Sequence, residues 1–111
     1  MRTLVLSLIA VVAVAVPLVA HAAPKRVAVD DNFFAPERVK VKKGGKVTWR
    51  WVGTNPHNVA LEKPGRRRVA KRSALKTSGE FTFKFRRIGK WRAVCEVHPN
   101  SMRMRIVVRR R

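Results

Sequence analysis

From Val27 to the C-terminus, apolar residues recur at every second position in short runs broken by turn residues, the pattern of strands with one buried face. Val27 and Val29 alternate with Arg26 and Ala28, and Val39 and Val41 with Arg38, Lys40 and Lys42, before Gly44-Gly45 turns the chain. Val47, Trp49 and Trp51 fall on one face of the next run, with Lys46, Thr48 and Arg50 on the other. Phe81, Phe83 and Phe85 repeat the pattern against Thr82, Lys84 and Arg86. After an expected turn at Ile88-Gly89, Trp91, Ala93 and Cys95 form another inward-facing set, and Ile106, Val107 and Val108 mark a last strand. No stretch of this region has a helical period. The pattern predicts an all-β sandwich or barrel.

Two segments interrupt the alternation. Between the expected strand around His57-Asn58-Val59-Ala60-Leu61 and the one near Glu80 lies a connection of about 18 residues, long for a loop. It is crowded with Lys63, Arg66, Arg67, Arg68, Lys71, Arg72 and Lys76 and carries turn signals at Pro64-Gly65 and Ser78-Gly79. The other is the N-terminus, where Arg2 precedes an almost wholly apolar stretch from Thr3 to Ala20 and Ala20-His21-Ala22 matches a signal-peptidase site. Residues 1–22 are therefore expected to be a secretory signal peptide, and 23–111 one small domain that is periplasmic or secreted. The competing reading is a retained anchor, since roughly 17 to 25 apolar residues span a bilayer. Pro17 and the small residues after it favour cleavage.

Charge narrows the choice of partners. The chain of 111 residues carries a formal charge of +20, and removing residues 1–22 takes away only Arg2 among the charged residues, leaving +19. Such a field speeds encounter with anions without specifying a fold. An acidic redox partner, or an anionic surface or polyanion meeting the 63–76 segment, fits it; export argues against nucleic acid. A single cysteine rules out an internal disulfide, a monomer is expected, and a domain this small gains from another source of stability, such as a metal.

The candidate ligands bear this out as chemistry. Cys95, His98 and Met102 lie within eight residues, and His57 lies upstream. Two imidazoles, a thiolate and a thioether suit copper in both of its common oxidation states. Zinc normally takes four strong ligands, which this set lacks. The sequence marks no orienting acid for a Cys-His nucleophile pair, and an inert buried thiol or a disulfide between two copies would leave the Cys-x-x-His spacing unexplained. Met104 is a second candidate thioether.

These residues sit in recognisable surroundings. Asn32-Phe33-Phe34-Ala35-Pro36-Glu37, the strand-turn-strand Val41 to Trp49, Asn55-Pro56-His57-Asn58-Val59, and Ile88-Gly89-Lys90-Trp91-Arg92-Ala93-Val94-Cys95 followed by His98-Pro99 resemble the cupredoxins of the plastocyanin, pseudoazurin and amicyanin type. The resemblance implies an all-β Greek-key sandwich of about seven to eight strands and a type 1 copper ion held by His57, Cys95 and His98 with Met102 axial. It also implies one-electron transfer through His98 and an Asn58 side chain tying the two ligand loops together. Two positions depart from the family pattern: three residues separate His98 from Met102, and Met104 stands where that pattern has glycine. Copper delivery without electron transfer is the alternative function.

Overall fold

The structure, a computed structural model, describes residues 2–15 and 23–111; the expected cleavage site at Ala20-His21-Ala22 lies outside them. Residues 2–15 form no strand or helix, and the apolar side chains from Leu4 to Val14 are exposed. No described helix is long and apolar enough to cross a membrane.

Nine strands form in chain order: β1 (Lys25–Asp30), β2 (Phe33–Ala35), β3 (Arg38–Lys42), β4 (Lys46–Trp51), β5 (Ala60–Glu62), β6 (Val69–Arg72), β7 (Glu80–Lys84), β8 (Gly89–Val94) and β9 (Arg103–Arg109). They make a four-stranded sheet ordered β2-β1-β4-β7 and a five-stranded sheet ordered β3-β9-β8-β5-β6. Both are mixed, with β1 parallel to β4 and β3 parallel to β9. The count exceeds the expected seven to eight because β2 is only three residues long and β6 forms inside the cation-rich connection. There Val69 offers a single half-buried apolar side chain, too weak a signal to read as a strand.

The alternation sets the core. Val27, Val29, Val47, Trp49, Trp91, Ala93, Ile106 and Val108 are buried between the sheets, while their charged neighbours face water. Every buried side chain among the described residues lies between Val27 and Val108, so all of the described packing falls within residues 23–111. Trp49 is fully buried, its ring 5.8 Å from Phe81 and 6.4 Å from Phe85. Its indole Nε1 donates to Met104 Sδ at 3.2 Å, giving the buried N–H a partner.

Three expectations are altered. Phe81 and Phe83 are only half-buried, because β7 is an edge strand, whereas Phe85, beyond its end, is fully buried. Thr48, placed on the wet face by alternation, is buried because its hydroxyl meets that of Thr82 across the β4–β7 pair at 2.9 Å. The strand expected around His57 is confined to Ala60–Glu62; His57 itself makes an isolated bridge to Lys76.

Candidate metal centre

One end of the sandwich gathers the candidate ligands. His57 lies on the connection from β4 to β5, Cys95 follows β8 directly, and His98 and Met102 lie in the turn before β9. Because Val94 pairs with Arg103, the eight residues between must close on themselves. Cys95 N donates to Met102 O at 3.0 Å, His98 N to Cys95 O at 3.1 Å and Met102 N to His98 O at 3.0 Å. These bonds wind the segment into consecutive turns and satisfy its backbone as it leaves the sheet. Cys95 and Met102 are fully buried, and His98 is half-buried.

His57 is held from several sides. Its N–H donates to Lys76 O and its carbonyl accepts from Lys76 N, both at 2.9 Å, and the same carbonyl accepts Trp51 Nε1 at 2.9 Å. The ring is fully buried, and its Nε2 lies 3.0 Å from Asp31 Oδ1. Asp31, in the turn between β1 and β2, also accepts the amides of Thr54 and Asn55 and the Thr54 hydroxyl. Those donors, the Asn55 amide first, then Thr54 and then His57, hold its carboxyl far below the usual range. An ionised carboxylate only accepts, so Nε2 carries a proton, and Nδ1 is the nitrogen left to ligate a metal. Nδ1 faces Cys95 Sγ at 3.8 Å.

This separation fits one ion between the two atoms. Metal–nitrogen and metal–sulfur bonds of about 2.0 and 2.3 Å put adjacent donors ~3.5–3.8 Å apart. The His57 and His98 ring centres are 5.5 Å apart, within the ~5–6 Å expected of two imidazoles on one ion at those bond lengths. Among the described residues, no three His, Cys, Asp or Glu side chains already form a closed cage, so His98 would complete the set by adjusting on its turn. Met104 differs from Met102 in having its sulfur engaged by Trp49 in the core.

A second link joins the ligand segments. Asn58 Nδ2 donates to Glu96 Oε1 and Glu96 N donates to Asn58 Oδ1, each at 2.8 Å. Glu96 also takes Arg72 Nε at 2.9 Å, and Arg72 first, then Asn58, lowers its pKa. Thus residues adjoining His57 and Cys95 are fastened to each other, as the resemblance implied for Asn58. From sequence Trp51 was read only as a core aromatic and Arg72 only as one of the 63–76 cations, and Asp31 carried no signal that set it apart from other turn residues.

A buried Cys–His pair, a second imidazole at the rim and a buried thioether make a donor set suited to one soft transition-metal ion. Residues 25–109 match the family described as copper binding proteins, plastocyanin/azurin family, and the chain belongs to that family; its cofactor is copper. No curated protein matches the chain. Solved structures do: a purple cupredoxin from Nitrosopumilus maritimus is 20% identical with a TM-score of 0.67, over 76% of this chain and 98% of that one. An oxidized amicyanin variant is 25% identical with a TM-score of 0.66, over 85% and 89%. A Sinorhizobium pseudoazurin is 26% identical with a TM-score of 0.60, over 77% and 72%.

Proposed function

We propose that this chain is an exported one-electron carrier in which His57, Cys95 and His98 would hold copper, with Met102 as a weaker fourth donor. The observation that carries the reading is the 3.8 Å approach of His57 Nδ1 to Cys95 Sγ, with the imidazole oriented by Asp31. Bound there, copper supplies a centre that cycles between two oxidation states one electron apart. The chain's part is to present Cys95 as a thiolate, hold His57 in one tautomer and keep water from the sulfur. A carrier transforms no substrate. Residues 1–22 direct export and are removed.

His98 is the half-buried member of the set and the natural exit for the electron. The exposed apolar side chains Phe33, Val52, Leu75 and Val97 lie on segments at this same end, a surface suited to brief contact with a redox partner. The net charge draws an acidic partner towards the protein at low ionic strength. Of the 63–76 cations, Arg72 is held by Glu96 and Lys76 lies 5.4 Å over the Trp51 ring, while Lys63, Arg66 and Arg67 remain exposed.

Voltammetry of the copper-loaded protein, followed by stopped-flow mixing with a small redox protein, tests the proposal. Reversible one-electron cycling with the metal retained supports a carrier. Loss of the ion to an apo-acceptor, without electron exchange, would instead establish copper delivery.

A further inference from the structure

Charge is sorted along the strands. In the registers of β1 with β4 and β4 with β7, Lys25, Lys46 and Lys84 lie at the end remote from His57; in that of β3 with β9, so do Lys42 and Arg109. The turns there add Lys43, Arg86 and Arg87, and the chain finishes in Arg110-Arg111. Lys43 N bonds to Arg109 O and Phe85 N to Gly45 O, so strand ends from both sheets meet at one pole. All these cations are exposed.

The six acidic residues lie elsewhere. Asp30, Asp31, Glu80 and Glu96 occupy the His57–Cys95 end, Glu37 precedes β3 on that side, and Glu62 is buried in β5. Like charges even face each other across strands at the basic pole, Lys46 opposite Lys84 and Lys42 opposite Arg109, an arrangement that costs stability.

The chain enters the fold at this pole. Ala23 lines a cleft with Lys25, Lys42, Lys46, Arg109 and Arg111, so the apolar N-terminal segment joins the domain beside the cations and remote from the ligands. We propose that this pole docks on the anionic phospholipid surface of the membrane the protein crosses, leaving His98 and the apolar rim facing solvent. Lys and Arg near such a surface each add to the attraction, which decays within a Debye length. Among the described residues of the folded domain, Ile88 is the only exposed large hydrophobic beside this pole, and the exposed aromatic Phe33 lies at the opposite end, so the pole offers no platform for stacking bases. The inference is independent of the electron-carrier reading, because lipid binding is measured without copper.

Residues 23–111 are mixed with vesicles of phosphatidylglycerol and phosphatidylcholine, or of phosphatidylcholine alone, and the bound fraction is measured by co-sedimentation at low and high salt. Binding is expected only to the anionic vesicles and is lost at high salt. The double variant Lys42→Glu/Lys46→Glu should weaken it at least about tenfold, while Arg66→Glu/Arg67→Glu, an equal change in net charge elsewhere, should weaken it less than about threefold. Each pole reversal places a carboxylate opposite a cation, so folding is not compromised. Equal losses from the two double variants, binding to phosphatidylcholine alone, or binding to duplex DNA or heparin without binding to anionic vesicles would overturn the proposal.

Discussion

Asp31 and His57 are 26 residues apart in the chain, yet the carboxylate Oδ1 lies 3.0 Å from the imidazole Nε2, and this fixes which nitrogen looks at Cys95. Outer partners of this kind typically change metal affinity 10- to 100-fold when removed. Asp31→Ala should therefore weaken copper binding by about that factor, with Asp31→Asn retaining part of it as an acceptor. Competition against a chelator of known affinity measures both; equal affinities for wild type and Asp31→Ala would show that Trp51 and Lys76 alone orient the ring.

Gly53 is tied to the same relationship. A Cβ on Gly53 would lie 2.5 Å from Asp31 Oδ1 and 2.8 Å from its backbone nitrogen, too close for either to stay. Gly53→Ala should reproduce the affinity loss of Asp31→Ala although residue 53 touches no ligand. Chelator competition on this variant should give the two substitutions similar values.

The Asn58–Glu96 link calls for a stability measurement. Asn58→Ala removes a side chain that satisfies the Glu96 amide and carboxylate, and should cost about 1–3 kcal/mol in urea unfolding of the metal-free protein. Arg72→Ala should cost at most about 1 kcal/mol, because that ion pair is largely exposed. Since Arg72 and Asn58 lower the Glu96 pKa, the stabilisation is present above the ordinary titration range of glutamate and fades as pH falls through the lowered value. The Arg72→Ala difference should shrink on acidification.

The two methionines separate by measurement. Met102→Leu should shift the reduction potential of the copper protein. Met104→Leu should leave the potential nearly unchanged and lower stability by about 1 kcal/mol or more, because it strips the Trp49 indole of its buried acceptor. A potential that follows Met104 would exchange their roles.

Much of this arrangement was legible in the sequence because β4 and β8 carry period-two patterns whose inward positions are all apolar, and β8 delivers Cys95 to the end of its strand. That His57, Cys95, His98 and Met102 gather at one end of the sandwich was readable because three of them share one short segment. Asp31 was not, because a carboxylate in a turn looks like any solvated turn residue until β1 and β4 pair and bring it under residues 54–57. β6 escaped because its pairing rests on backbone bonds to β5 rather than on an apolar face. The polarity of charge needed the strand registers, which decide the end at which each lysine emerges.

The central claim is that Cys95 binds copper as a thiolate together with His57 and His98. Adding Cu(II) to the purified 23–111 domain and recording its visible spectrum tests it most directly. An intense thiolate-to-copper band that disappears in Cys95→Ser is expected; no such band in the wild-type domain, or one that persists in Cys95→Ser, would contradict it.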